Sequence, residues 1–237
     1  MSYKGLARKY RPSSFSELIG HDALIRTLSN AIILNHLPHA ILLTGTRGIG
    51  KTTTARIIAK SLNCLSSDQP VVQSCSQCQQ CISIAQGNNQ DVLEIDAASH
   101  TGVQDIRELI ENVKYRPVYG RYKVYIIDEV HMLSNSAFNA LLKTLEEPPA
   151  HAKFIFATTE IRKIPLTIIS RCQRFTLRRM VDDELADHYN KILQKEQYTA
   201  DTIDNHLINN FCSPWHIICT TPINKRRNCK AWTIFKG

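Results

Sequence analysis

The sequence predicts an α/β domain in which a parallel sheet of five strands is covered by helices. Two observations carry that expectation. Short apolar runs alternate with stretches of helical periodicity, and a glycine-rich loop stands between one apolar run and the helical pattern after it. At 237 residues and 43% hydrophobic content, the chain can build one such domain plus a small second element.

The elements follow in order. Residues 21–35 set Leu24, Ile25, Leu28, Ala31 and Ile32 on one helical face, and 40–44 (AILLT) reads as the first strand. Further strands are expected at 92–95, 123–127 and 153–158, with a short one at 174–177. Helices fit between them. The helix at 134–147 aligns Phe138, Leu141, Leu142 and Leu145, and Pro148-Pro149 stops it. From Asp182 to about Asn210 the pattern is wholly helical, as in a small lid domain. The expected division is a core over 1–178, a partial lid over 179–210 and a tail over 211–237, without internal repeat or low-complexity segment.

Charge and cysteine usage narrow the classes. The net charge is +8, but Lys4, Arg8, Lys9 and Arg11 at one end and Lys225, Arg226, Arg227, Lys230 and Lys236 at the other stand in segments without acids. Removing these from 29 basic residues leaves the body close to balance against 21 acids, so bulk charge is no argument for a DNA-binding face. No window approaches the roughly 20 apolar residues of a membrane helix, and the N-terminus MSYKGLARKYRP has no apolar signal core. The expectation is a cytoplasmic protein. Eight cysteines occupy positions 64, 75, 78, 81, 172, 212, 219 and 229. Three of them spaced by two residues suggest a metal rather than an oxidised secreted scaffold.

Gly45-Thr46-Arg47-Gly48-Ile49-Gly50-Lys51-Thr52 satisfies G-x-x-x-x-G-K-[ST], the phosphate-binding loop. Its glycines let successive N–H groups curl around a phosphate at the positive end of the next helix. Lys51 would reach the β- and γ-phosphates, and Thr52 would ligate Mg²⁺. The bland alternative is a glycine-rich turn, which the register of strand, loop and helix disfavours. Downstream, the apolar run VYII ends in Asp128-Glu129. Asp128 suits a Mg²⁺ held through its water shell, and Glu129 suits the water-activating base. Such carboxylates can also be mere helix caps. Asp128-Glu129-Val130-His131 additionally spells the D-E-x-H box of some helicases, so the pair names an ATPase without naming its task. The run at 154–157 leads into Thr158 and Thr159. A hydroxyl there could bond a γ-phosphate or the water, but threonine is also a favoured strand residue, and both readings stay open. Arg171 in Ser170-Arg171-Cys172 could complete a neighbouring subunit's site, although by itself it reads better as a solvated surface arginine.

Assembled, these residues resemble one family. LARKYRP at 6–12, F-x-E-L-I-G at 15–20, GTRGIGKTT at 45–53, EIDAAS at 94–99, VYIIDEVHMLS at 124–134, FNALLKTLEEPP at 138–149 and SRC at 170–172 are similar to the clamp-loader gamma/tau subunits of bacterial DNA polymerase III, over roughly residues 3–205. The resemblance implies an AAA+ ATPase fold. It implies a protein that uses ATP to open a sliding clamp and place it on primed DNA, in a hetero-oligomer with other clamp-loader subunits. It makes Lys51, Thr52, Asp128 and Glu129 the ATP machinery, with Thr53 closing the loop motif, Thr159 the γ-phosphate sensor and Arg171 a finger acting in trans. It assigns Ala7, Arg11 and Pro12, with Ile19 and Gly20, to the adenine side. Cys64, Cys75, Cys78 and Cys81 fall in the family's zinc-binding insertion, where four thiolates can close a tetrahedral site. ATP, Mg²⁺ and Zn²⁺ are the implied cofactors.

After Asn210 the family would continue its lid with a sensor-2 arginine and then a helical collar. Here the chain reads FCSPWHIICTTPINKRRNCKAWTIFKG. That stretch follows no helical period and looks like sequence in a shifted frame, so an aberrant tail and weak activity of the chain alone are expected. Three competing functions are weighed. A non-hydrolysing delta-prime-like subunit is opposed by the intact Gly50-Lys51-Thr52. An AAA+ helicase is disfavoured by the cysteine insertion. A P-loop kinase would need a substrate lid in place of SRC. No separate carboxylate site for nucleotidyl transfer is visible, so a polymerase label would belong to the holoenzyme.

Overall fold

The computed structural model of the chain describes residues 9–34, 36–99 and 102–195. Ala7, the end of the expected lid over 196–210 and the tail over 211–237 lie outside them. The chain divides into two units. One is Pro12–Arg179; the other groups the described residues 9–11 with 180–195. The N-terminal segment therefore groups with the helix over 182–195, not with the sheet.

In the larger unit, helix α1 (Asp22–Ile33) precedes strand β1 (Ala40–Thr44), and α2 (Lys51–Asn63) follows the glycine-rich loop. Then come α3 (Gln79–Gln86), β2 (Val92–Asp96), α4 (Val103–Val113), β3 (Lys123–Asp128), α5 (Asn135–Glu146), β4 (Ala152–Thr158), α6 (Leu166–Ile169) and β5 (Gln173–Thr176). The smaller unit holds α7 (Asp182–Lys195), with Asp182, Asp183 and Glu184 in its first turn, where the helix dipole favours acids. Among the described residues, no helix is long and apolar enough to cross a membrane.

The five strands form one parallel sheet in the order β2-β3-β4-β1-β5. The near-continuous apolar runs of β1, β3 and β4 place them in the middle, covered on both faces, while the half-covered β2 and the polar β5 form the edges. Alternation then sorts the side chains. Ile41, Leu43, Val124, Ile126, Ile155 and Ala157 pack against Ala55, Ile57, Ile58, Ala59 and Leu62 of α2. Leu42, Tyr125, Ile127, Phe154 and Phe156 pack on the other face against Ile106, Leu109 and Val113 of α4 and Phe138, Leu141 and Leu145 of α5. Because all strands run the same way, the C-terminal ends of β1, β3 and β4 deliver Gly45, Asp128 and Thr158 to one edge, where α/β folds bind ligands.

At the opposite edge, the connection into β3 is held by side chains. The buried Asp91 carboxylate accepts from the N–H groups of Val118, Tyr119 and Gly120 at 2.6, 2.8 and 2.6 Å. Removing the carboxylate would strand three donors, each worth about 1–3 kcal/mol when left buried and unpaired. Val118 and Tyr119 are themselves exposed, so water takes over part of these bonds, and Asp91→Ala is expected to cost about 1–3 kcal/mol, measurable as a lower urea midpoint with an unchanged slope.

Candidate nucleotide site and cysteine cluster

Two of the loop's glycines are needed for its shape. Gly50 is left-handed (φ 101°) where the loop turns into α2. A side chain on Gly45 would place its Cβ 3.0 Å from the Leu177 carbonyl oxygen and 3.2 Å from Ile49. The turn brings the first residues of α2 under the loop. Lys51 is buried, and its Nζ donates to the carbonyls of Gly45 (3.0 Å) and Thr46 (3.1 Å), 3.9 Å from Glu129 Oε1. Burial lowers the pKa of this ammonium, and the attraction of Glu129 and Asp128 offsets only part of that shift. Thr52 points to β3, its hydroxyl donating to Asp128 Oδ2 at 2.5 Å. Thr53 is buried, whereas Thr46, Arg47 and Gly48 are exposed at the loop's crest.

Asp128 ends β3, and the chain turns at once: Glu129 is left-handed (φ 46°), a conformation that a non-glycine residue holds only at a cost. That turn aims the Glu129 carboxylate across to the end of β4. Its Oε2 accepts from the Thr159 amide (3.1 Å) and hydroxyl (2.9 Å). Thr158, by contrast, has its hydroxyl beside His131 Nδ1 at 3.0 Å. Of the two threonines, Thr159, the one the resemblance named, is in contact with the carboxylate.

The remaining expected residues fall in both units. Pro12, Ile19 and Gly20 belong to the larger unit and Arg11 to the smaller. The Arg178 guanidinium lies so close over Gly20 that a Cβ there would sit 3.0 Å from Nη2, a contact that no sequence motif announced. Arg171 follows α6 and is no free surface arginine. Its guanidinium donates to Glu146 at 2.5 Å and to the Thr167 carbonyl at 2.7 Å.

The cysteine cluster lies at the far end of α2. Cys64 caps that helix, Cys78 caps α3 and Cys81 lies within α3. The sulfurs of Cys64, Cys75, Cys78 and Cys81 all lie within 4.8 Å of one another. Backbone N–H groups point at three of them: Cys75 to Cys64 (3.3 Å), Cys78 to Cys75 (3.3 Å) and Cys81 to Cys78 (3.5 Å). Burial alone would raise the Cys64 pKa, but the donors from Cys75 and Ser66 outweigh it and bring the thiol down to about 6. The Cys78 thiol is lowered against the same burial effect, by N–H groups including those of Leu65 and Cys81. Cys81 is raised, first by burial and then by its sulfur neighbours. Four sulfurs at this spacing, with donors that favour thiolates, fit one tetrahedral zinc. Cys172 is separate, and burial pushes its thiol up to about 12.

This sheet order and loop give the chain the P-loop fold of the AAA+ class. Among solved structures, the chain is similar to the Thermotoga maritima RuvB Holliday junction branch migration motor, with a TM-score of 0.62 over 88% of this chain and 63% of that one, at 20% identity. That likeness speaks for the fold alone. The family model described as DNA polymerase III, delta subunit matches residues 20–181. The chain is 52% identical to the DNA polymerase III subunit tau/gamma of Haemophilus influenzae over 83% of its length and 28% of the relative's. For the tau subunits of Bacillus subtilis and Escherichia coli K12 the identities are 52% and 49%, again over 83% of this chain and over 35% and 30% of theirs. The chain belongs to the DNA polymerase III gamma/tau family. It spans about a third of the length of these curated relatives.

Proposed function

We propose that the chain binds Mg²⁺–ATP and hydrolyses it as the ATPase subunit of a DNA polymerase III clamp loader, a soluble cytoplasmic assembly that places a sliding clamp on primed DNA. The observation that carries this reading is the Thr52–Asp128 hydrogen bond, which sets two hard oxygen donors side by side between the loop and β3. Thr52 and Asp128 would hold the Mg²⁺, Asp128 through water. When bound, the ion neutralises charge on the β- and γ-phosphates. Lys51 exchanges its two loop carbonyls for phosphate oxygens. Glu129 orients the attacking water and accepts its proton, and the Thr159 hydroxyl is within reach of the same region. On the adenine side, Pro12, Ile19 and Gly20 of the larger unit would face the base; the resemblance also assigns Ala7 and Arg11 to it. The α7 helix would begin the lid.

A delta-prime-like passive subunit is the second reading, since the matching family model is described as a delta subunit. The complete set Lys51, Thr52, Asp128 and Glu129 favours hydrolysis. The test is ATP turnover with and without sliding clamp and primed DNA: stimulation supports the clamp-loader reading, and binding without any turnover favours the passive one.

Arg171 supplies a separate prediction. An arginine finger completes the site of an adjacent subunit, and Arg171 stands on the surface with Glu146 and Thr167 fixing its guanidinium. Mixing Arg171→Ala subunits with Lys51→Ala subunits, in an assembly with the neighbouring clamp-loader subunits, is expected to restore turnover in a fraction of the sites. Absence of complementation at every mixing ratio would make Arg171 a residue that acts within its own chain or a structural one, held by Glu146 and Thr167.

A further inference from the structure

His131 has no part in the mechanism above, yet it joins the two segments that carry the site's carboxylate and its sensor. The ring is buried, with 6% of its side-chain surface exposed. Its Nδ1 lies 3.0 Å from Thr158 Oγ1 and 3.3 Å from Glu129 Oε2, and its Nε2 lies 3.8 Å from Glu160 Oε1. Thr158 Oγ1 also accepts from the Glu160 amide at 3.0 Å. A bare Nδ1 lone pair facing a carboxylate oxygen would be repulsive, so the network assigns the proton to Nδ1, which directs it at Thr158 Oγ1 and stays in electrostatic contact with Glu129 Oε2 at 3.3 Å. Oε2 of Glu129 then accepts two hydrogen bonds, from the amide and hydroxyl of Thr159, and has the polar Nδ1 edge of His131 3.3 Å away. Oε1 is turned the other way, toward Lys51.

This division of the carboxylate has a chemical consequence. Donors on Oε2 stabilise negative charge there and fix the carboxylate's rotation, leaving Oε1 as the oxygen that faces the phosphate-binding loop. Glu129 follows β3, Thr158 ends β4, and the backbone between Asp128 and His131 is in a strained turn. Without a tie to β4, nothing else in this network would hold Glu129 to Thr158, only to Thr159.

We propose that His131 is a positioning residue for hydrolysis: by tying Glu129 Oε2 to Thr158 at the end of β4, it presents Oε1 to the attacking water. The inference rests on Glu129 being the water-activating base. A buried histidine that only fills space would make a different prediction, because its loss would disturb folding and nucleotide affinity together.

The test measures Mg²⁺–ATP affinity and single-turnover hydrolysis for the wild type and for variants in an assembly with the neighbouring clamp-loader subunits, with sites held in excess over labelled ATP, so that a finger acting in trans is present. His131→Leu is expected to slow hydrolysis about 10- to 100-fold, the usual effect of misplacing a reacting group by an ångström, with affinity within about threefold of wild type. His131→Asn, whose amide nitrogen can donate from near the Nδ1 position, is expected to recover most of the rate. In a Glu129→Gln background, His131→Leu should cost nothing further, because the two act as one unit. If His131→Leu does not fold, Thr158→Val removes the other partner of Nδ1 and should slow hydrolysis with affinity retained. Wild-type rates in these variants, equal loss in the leucine and asparagine variants, or additive losses with Glu129→Gln would each overturn the proposal. Undiminished hydrolysis by Glu129→Gln alone would instead overturn the assignment of the base.

Discussion

Glu129→Gln is expected to bind Mg²⁺–ATP as the wild type does and to hydrolyse it about 10²- to 10⁴-fold more slowly, the range that general-base catalysis contributes. The amide keeps the size of the carboxylate but cannot take the proton of the attacking water. Since the Glu129 backbone is left-handed and its side chain is held by Thr159 and His131, the substitution replaces an acceptor without vacating the position. Lys51→Ala should fail earlier in the cycle. Its ammonium now rests on the Gly45 and Thr46 carbonyls, and burial already disfavours its charge. Phosphate oxygens would satisfy that charge better than carbonyls do. Losing charge-assisted bonds worth about 1.5–3 kcal/mol should weaken ATP binding roughly 10- to 100-fold. Equilibrium titration with a fluorescent ATP analogue separates the two variants. Equal loss of affinity in both would contradict this division of labour.

How much of this could be read from the chain alone differs between elements. The five strands were legible because β1, β3 and β4 are apolar nearly throughout, and even the short, polar β5 was found, displaced by one residue from 174–177 to Gln173–Thr176. Helix ends at 21–35 and 134–147 shrank to Asp22–Ile33 and Asn135–Glu146, since periodicity marks a face and caps mark an end. The loop, Asp128, Glu129 and the four cysteines were legible because their chemistry requires fixed residue types at fixed spacing, and the structure brings the two sets to opposite ends of α2. What remained illegible depends on turn geometry. The resemblance named Thr159, but its contact with Glu129 follows from where β4 ends. The contact of His131 with Thr158 follows from the left-handed turn at Glu129, though the D-E-x-H pattern was visible. Arg178 over Gly20, and Arg171 on Glu146, are meetings of distant segments with no local signature.

Metal removal has the other large expected effect. The cluster of Cys64, Cys75, Cys78 and Cys81 should hold one zinc per chain, and Cys78→Ser should lose it, because a serine oxygen is a poor substitute for a thiolate in a four-sulfur site. Structural zinc sites bind with apparent energies of about 10–16 kcal/mol in small peptides, so the loss should be visible both by elemental analysis and as a large drop in melting temperature. The structure also says where the damage should spread. Arg121 donates to the carbonyls of Leu62, Cys64, Ser67 and Asp68, and Asn63 bonds the backbone of Arg121 and Tyr122. This clamp joins the cysteine loop to the base of β3. Hydrogen exchange should therefore rise first at 61–81 and 118–123. Lys51 and Thr52 stand at the opposite end of the 13-residue α2, about 20 Å away at 1.5 Å per residue. At temperatures where the core remains folded, ATP affinity should survive zinc loss. A zinc content unchanged by Cys78→Ser would remove the metal assignment. Exchange that rises uniformly along α2, with ATP affinity lost in step, would instead show that the cluster supports the nucleotide site directly rather than only the far end of the helix.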